Sequence, residues 1–519
     1  MKYATALRAI RDLVTDRQYV RIEGDGADVE ARLDLFFETM SVLDYDTDFF
    51  PGAEIPLVTN DSRTVIPGAI FVAIRGAQAD GNQFIPQAAA AGALVTVSAF
   101  PVAEPIPGVI HLQVRGDYDA GARLCEAFYD FPTRGMTAFA VTGTNGKTTS
   151  AMLFRQLLNL AGKKCGLIST VEYDTCDGMP IAADRTTPEA ARLFELFARM
   201  RDRGAQAMSM EVSSHALAQD RIGALRFQGA VFTNLTGDHL DYHHTMEAYF
   251  AAKCRLFAEH LAPEGVAVIN ADDPWGQYLS AMLPPKQVAT FGQTHGDWRI
   301  AGVALTGRGS DFVREHDSFR QAFHTNLIGE HNIYNVVGVV LALHRTGVLA
   351  LAESAALLRD HALAVPGRLE MFPLPGGATA FVDYAHTDDA LRHVLQSLRA
   401  LHPRRILTVF GAGGNRDQTR RPCMGKVVAE LSDELFVTSD NPRYEAPDAI
   451  IAMIASGLPE SGGPPVHRIA DREAAILAAL DGAQKGDFVL IAGKGHEPYQ
   501  EIAGVQHPFD DRGVVRRRQ

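Results

Sequence analysis

The chain has 519 residues, of which 46% are hydrophobic, and a formal net charge of −13. That length exceeds what one hydrophobic core serves and predicts about two to four domains. The acidic balance excludes a dedicated nucleic-acid binder, which would carry a basic face, but allows anionic ligands held by a few local cations and backbone N–H groups. Cys125, Cys165, Cys176, Cys254 and Cys423 are scattered, odd in number and never spaced as CxxC. That pattern fits reduced thiols in a cytosolic protein rather than a disulfide framework or a zinc knuckle. The N-terminal MKYATALRAIRDLV lacks the apolar core of a signal peptide, and no stretch approaches about 18 uncharged apolar residues. A cytoplasmic protein without a membrane span is expected.

In chain order, residues 1–56 hold a helix near 4–15 and then the acidic, aromatic run LDLFFETMSVLDYDTDFF. The strands AIFVAI (69–74) and ALVTVSA (93–99) alternate with the helical segments FIPQAAAAGA and DAGARLCEAFYDF, making a small α/β unit that ends near FPTRG (131–135). A second unit opens with the strand MTAFAVT (136–142), a Gly-rich turn and the helix SAMLFRQLLNLAG. It continues through AQAMSMEV, GAVFTNL and GVAVINA, and the Pro-Gly of AVPGRLE (364–370) closes it as a hinge. A third carries TAFVDYA, RRILTVFGA, ELFVTSD and DFVLIAG, spaced by helices. The expected domains are 1–135, 136–364 and 365–519, with residues 1–56 either an extra helical subdomain or an ordered extension. Strand–helix alternation predicts doubly wound parallel sheets in the second and third, with ligands at the carboxyl ends of the strands.

VTGTNGKTTSAMLF sets Gly143, Thr144, Asn145, Gly146, Lys147, Thr148 and Thr149 between a strand and a helix. Glycines let the backbone turn its N–H groups toward a triphosphate; the helix start adds positive partial charge, Lys147 neutralises phosphate oxygens and Thr148 can ligate Mg2+. The spacing departs from the usual phosphate-loop pattern, because Val141 stands where a glycine is wanted.

GTNGKTT resembles the ATP loop of the Mur ligase family, enzymes that join an amino acid to a carboxylate through an acyl phosphate. Further motifs follow in the family's order over roughly residues 57–515. The resemblance implies three domains: a small N-terminal α/β domain binding a UDP-sugar, a central ATP-binding doubly wound sheet of the P-loop type and a C-terminal Rossmann-like domain binding the amino acid. In MSMEVSSHALAQDRI it makes Glu211 a ligand of ATP-bound Mg2+. In FTNLTGDHLDYHHTMEAYFAAKCRLF, the set Asp238, His239, Asp241, His243 and His244 also suits zinc. The resemblance instead makes His239 a ligand of a second Mg2+ and Lys253 a carbamylated metal ligand. By charge alone Lys253 reads as a surface lysine. Asn335 of IGEHNIYNVVGVVLAL is implied to contact adenine, although a buried capping amide is an alternative. Arg368 and Asp383 are implied to reach the nucleotide, near Tyr384, His386 and Asp389.

NDSRTVIPGAIFVAIRGAQADGNQFI is similar to the first domain of members that extend a UDP-MurNAc-dipeptide. Ser62, Gln78 and Ala79 match uridine and diphosphate contacts, with Ala77 where histidine is common. Thr186, Thr187, Ser213, Gln219, Arg221 and Lys253 match contacts to the sugar-peptide. The Asp440-Asn441-Pro442-Arg443 sequence matches the signature of members that add diaminopimelate. Arg443 would pair bidentately with the distal carboxylate, a group that lysine lacks. Arg416, Gly493 and Glu497 match supporting contacts, Glu497 toward the distal ammonium. The resemblance thus implies ATP, Mg2+, UDP-MurNAc-L-Ala-D-Glu and meso-diaminopimelate as ligands of a monomeric enzyme in peptidoglycan precursor synthesis. No residue declares itself as the base for the incoming amine; His386 is a candidate. A lysine- or ornithine-adding member would lack Arg443, and a phosphate-loop NTPase without ligase activity would need neither DNPR nor GKGHE.

Overall fold

The computed structural model describes residues 3–19, 54–76, 79–307, 309–316 and 319–519. The acidic, aromatic run at 33–50 therefore lies outside the described residues. They form a mixed α/β fold with five-, eleven- and six-stranded main sheets and divide into two compact units. One comprises Met1–Thr142, Gly162–Ala230 and Gly237–Gly265; the other comprises Gly143–Ala161, Val231–Thr236 and Val266–Gln519.

In the first unit, the helix expected over 4–15 is shorter. Tyr3–Arg8 is helical, Arg11–Leu13 is a 3-10 turn and Val14–Tyr19 is a strand. That strand pairs antiparallel with Ile110–Val114, so sheet pairing overrides the local helical pattern. The order is then Val95–Ser98, Ile70–Ala73 and Val58–Thr59, all parallel. Phe71, Ala73, Ile85 and Ala88 pack one of its cores. The part of residues 1–56 that is described thus adds to the N-terminal sheet. Ala207–Glu211 lies between Thr137–Thr142 and Cys165–Ile168, parallel to both. Glu172–Asp174 and Ile181–Ala182 extend this part antiparallel.

In the second unit, the helix Lys147–Leu160 presents Ala151, Phe154, Leu157 and Leu158 as a buried stripe. The six-stranded sheet has the order Glu370–Pro373, Thr379–Asp383, Phe488–Ala492, Ile406–Phe410, Glu434–Val437, Val466–Arg468. Only its first pairing is antiparallel. Its four inner strands are near-continuous apolar runs because both faces are covered: Leu391, Val394 and Ile454 pack on one side, Ala475, Ile476 and Val515 on the other. Among the described residues no helix is long and apolar enough to cross a membrane.

Asp487, fully buried before the strand Phe488–Ala492, accepts from Arg404 Nε at 2.8 Å, Arg405 Nη2 at 2.8 Å and the Gln484 N–H at 2.9 Å. Burial pushes its carboxyl up, but these donors outweigh it and hold it at about 2. Its folded value lies below the ordinary one, so its contribution is complete above about pH 4 and is lost as pH falls through 2. Asp487→Asn should cost about 1–3 kcal/mol at pH 7, and the gap from wild type should be roughly halved at pH 3. Urea unfolding at the two pH values measures both. An undiminished gap would mean that the carboxylate charge is not what stabilises.

Candidate active site

Residues 143–146 form a tight connection ahead of the helix Lys147–Leu160, whose N-cap Gly146 has φ 84°. Gly146 is required there twice over: its φ is left-handed, and a Cβ would lie 2.3 Å from Asn335 Oδ1. Asn234 takes the loop on both sides. Its carbonyl accepts from the Thr144 N–H at 2.9 Å and its Oδ1 accepts from the Asn145 N–H at 2.9 Å. Thr233 Oγ1 donates to the Asn145 carbonyl at 2.6 Å. Lys147 folds back over the loop, with Nζ 2.9 Å from the Gly143 carbonyl and 2.7 Å from that of Thr144. Asn335 is no cap: it is buried inside the helix Glu330–Arg345, where its Nδ2 donates to Asn332 and its Oδ1 accepts from Ser150 Oγ. Arg368 Nη2 donates to Thr148 Oγ1 at 3.2 Å, and its guanidinium lies 4.5 Å from the Tyr384 ring centre. Asp383 is buried and its carboxyl is pushed up by burial, against Arg368 and the N–H groups of Leu369 and Ala385, both at 2.7 Å. His386 Nδ1 is 2.8 Å from the Tyr384 carbonyl. A carbonyl only accepts, so Nδ1 carries a proton, and in the neutral ring the lone pair is on Nε2.

The first unit gathers a second group. Glu211, at the end of its strand, is fully buried and accepts from Thr170 N–H at 2.8 Å and Thr170 Oγ1 at 3.2 Å. Among the described residues its carboxylate meets only these neutral donors, so a cation fits the position better than solvent-free isolation does. Thr170 Oγ1 also lies 3.1 Å from Thr186 Oγ1, and with its one proton on Glu211 it accepts there. Thr187 Oγ1 donates to the Glu211 carbonyl at 2.9 Å and accepts from the Ser213 N–H at 3.0 Å. Arg221 reaches the Thr187 carbonyl, Gln219 Oε1 and Glu189, while Gln219 meets Tyr242. A cleft lined by Asn60, Tyr118, Glu189 and Arg221 opens beside them.

His215 packs between Tyr242, His239 and His243, with ring centres 4.2, 5.0 and 5.5 Å away. Lys253 is not a surface group: it is 1% exposed, with Nζ 4.5 Å from the Tyr249 ring centre. Among the described residues no three His, Cys, Asp or Glu side chains gather as a metal site, so the zinc alternative gains no support. Ser62 spends its hydroxyl on Gln87, and Ala79 is exposed with its carbonyl taken by Gly76. Gln78 and Ala77 lie outside the described residues.

A third group occupies the carboxyl ends of three neighbouring strands of the six-stranded sheet. Asn441 Nδ2 donates to Glu497 Oε2 at 2.9 Å, and fully buried Lys494 bridges Asn441 Oδ1 (2.9 Å) and Glu497 Oε2 (3.0 Å). Buried Asp440 Oδ2 has no hydrogen-bond partner, which suits an incoming N–H donor. It lies where a Cβ on Gly493 would stand. Pro442 is buried, Arg443 is half-buried and Arg416 is exposed, bonded to none of them. Thr170 and Glu501 fall outside the sequence motifs, and Asn234 and His215 lie within them without being singled out. Lys494, inside GKGHE, was the one signalled locally.

With these geometries the family can be assigned. Residues 54–123 match the catalytic domain of the Mur ligase family, 141–343 the Mur ligase middle domain and 367–495 the Mur ligase glutamate ligase domain. The chain belongs to the Mur ligase family and is an ATP-dependent, C–N bond-forming ligase. It is 43% identical to the UDP-N-acetylmuramoyl-L-alanyl-D-glutamate--2,6-diaminopimelate ligase of Gloeobacter violaceus over 475 residues, covering 91% of this chain and 95% of the relative. The enzyme of the same name from Chlorobaculum tepidum is also 43% identical, over 89% of this chain and 91% of its own. A solved structure bearing that ligase name aligns with TM-score 0.64 and 34% identity, covering 92% of this chain and 96% of that one. MurF from Acinetobacter baumannii shares the fold at TM-score 0.60 and 18% identity, over 85% and 91%.

Gly146→Ala, which meets both the left-handed φ and Asn335, should weaken Mg-ATP binding by about tenfold or more. Titration calorimetry reads this, with thermal unfolding as the control for fold. Unchanged affinity would mean that the loop does not need this backbone shape.

Proposed function

We propose that this chain joins meso-diaminopimelate to the D-glutamate of UDP-MurNAc-L-Ala-D-Glu, using ATP, in cytoplasmic peptidoglycan precursor synthesis. Residues 1–135 take the UDP-sugar, 136–364 the ATP and 365–519 the amino acid. The observation that supports this reading most is the Asp440–Arg443 loop beside Glu497. It offers a bare carboxylate oxygen, a second carboxylate and a guanidinium within one strand-end cluster. A zwitterionic amino-acid end needs that mixture. The relatives that carry the name are alike over most of their length.

In this reading the γ-carboxylate of D-glutamate attacks the ATP γ-phosphate, giving an acyl phosphate and ADP. The amine of diaminopimelate then attacks the acyl carbon, and phosphate leaves. Gly143, Thr144, Asn145, Gly146 and Thr149 cradle the phosphates, and Lys147 neutralises charge on the transferred group. Asn335, Arg368 and Asp383 hold the nucleotide. Ser62, Gln78, Ala79, Thr186, Thr187, Ser213, Gln219 and Arg221 hold the sugar-peptide, and Arg416, Gly493 and Glu497 join the DNPR loop on diaminopimelate. His386, with its Nε2 lone pair, takes the proton of the incoming amine. Glu211, His239 and Lys253, the last as a carbamate, and separately Thr148 are the residues for Mg2+, which screens a triphosphate from an attacking anion when bound.

Purified protein with Mg-ATP and UDP-MurNAc-L-Ala-D-Glu should yield a tripeptide product with meso-diaminopimelate and none with L-lysine or L-ornithine, read by product mass and phosphate release. Product with lysine alone would keep a ligase and sink the reading of Arg443. Equal phosphate release without product would indicate an NTPase. Arg443→Ala should lower kcat/KM for meso-diaminopimelate by about 100-fold while ATP affinity stays. Normal diaminopimelate turnover in that variant refutes the assignment.

A further inference from the structure

Tyr499–Ile502 and Val505–Pro508 form a hairpin that is a two-stranded sheet of its own. Four hydrogen bonds tie Gln500, Glu501 and Ala503 to the 440–443 loop. Gln500 Nε2 donates to the Asp440 carbonyl at 2.6 Å, and the Glu501 N–H donates to Asn441 Oδ1 at 2.9 Å. The Arg443 N–H donates to the Glu501 carbonyl at 3.0 Å, and the Ala503 N–H donates to the Arg443 carbonyl at 2.6 Å. A parallel bridge pairs Arg443 with Ile502. Arg443 itself sits at φ 50°, a left-handed conformation that a side-chain-bearing residue keeps only when its surroundings impose it.

Glu501 holds the same arginine a second time. Arg443 Nε donates to Glu501 Oε2 at 3.2 Å, and Arg443 Nη1 donates to the Gly414 carbonyl at 2.7 Å. Both side chains are about one quarter exposed, at 23% and 25%, so this is a half-buried pair at the rim of the cluster. A guanidinium has five N–H donors in one plane. Two are engaged at either end of that plane, and Nη2, which serves both of its edges, has no protein acceptor among the described residues.

We propose that Glu501 is a positioning residue for Arg443: it fixes the backbone and the plane of the guanidinium so that Nη2 and its edge face the distal carboxylate of the amino-acid substrate. This rests on the reading of meso-diaminopimelate as substrate. Glu501 does not touch the reacting atoms. It acts through Arg443, whose orientational freedom would otherwise be lost on binding each substrate molecule.

The test is steady-state kinetics of the full chain as wild type, Glu501→Ala and Glu501→Gln. Glu501→Ala should raise KM for meso-diaminopimelate about tenfold, with kcat and the KM for ATP within about twofold of wild type. Glu501→Gln keeps an oxygen for Nε and should recover most of that loss. An unchanged or lowered KM in Glu501→Ala overturns the proposal. So does a change that moves kcat and every KM together, or a Gln variant no better than Ala. A wild type that turns over another amino acid and not meso-diaminopimelate overturns the substrate reading and this proposal with it. Wild-type turnover with unaltered variants overturns the proposal alone.

Discussion

Asn234 holds the phosphate loop from two sides: its backbone carbonyl takes the Thr144 N–H and its side-chain oxygen takes the next one, on Asn145. Thr233 then satisfies the Asn145 carbonyl that follows, and Lys147 the Thr144 carbonyl between. A loop that points N–H groups at an anion must give up its own internal hydrogen bonds, so its shape has to be imposed from outside. Here the imposing residues lie almost ninety positions further along the chain. The helix Lys147–Leu160 can start at Gly146 only because the loop ahead of it is already fixed, and Arg368 reaches Thr148 on the first turn of that helix.

The buried charges sort into two kinds. Arg472 and Asp511 are both fully buried and bond each other twice, while Arg472 also takes the Ser439 and Ala492 carbonyls at two strand ends. Four of the five guanidinium N–H groups are thereby spent inside the protein, and the pair fixes the backbone on which the DNPR loop begins. Buried Arg421 pairs with the partly exposed Glu445 behind the 413–415 loop, and its hydrogen bonds hold the Glu445 carboxyl at about 2. Glu211 and Asp440 differ. Each is a buried carboxylate with neutral donors on one side and capacity left on the other. Desolvating a charge without a counter-charge costs several kcal/mol; Glu211 is left in that condition, so a cation belongs beside it, while Asp440 has the Arg472 cation nearby and keeps an unbonded oxygen that suits an amine.

What was legible in the sequence follows the same division. The glycines of the phosphate loop, the strand-end position of Glu211 and the four consecutive residues Asp440–Arg443 are local signals, and the family's order carried them together. Asn234, Thr170 and Glu501 act through bonds to segments distant in the chain, and no local pattern singles them out. Lys253 is instructive because its burial was written in the helix. Tyr249, Phe250, Lys253, Leu256 and Phe257 are spaced at three and four along Met246–Glu259 and all are buried. Helical period placed the lysine on the inner stripe, while charge argued for solvent; packing won. In residues 3–19 the opposite held. Periodicity suggested one helix, and the edge of the neighbouring sheet claimed its second half as a strand.

The amino-acid pocket also has a consequence for selectivity. Arg443 is already paired with Glu501, so an amino acid without a distal carboxylate would not leave a bare buried cation behind. Rejection of such a ligand cannot draw on the full penalty of an orphaned charge. It draws instead on the charge-assisted bonds that Nη2 would otherwise make, a gain that depends on direction as much as on charge. Lys494 applies the same logic at the other pole. By neutralising one oxygen of Glu497 and steering Asn441, it leaves a carboxylate whose remaining oxygen has a defined aim. Selectivity here is built into the loops that hold the charged groups, and those loops are held by a hairpin and a lysine that the signature residues alone do not include.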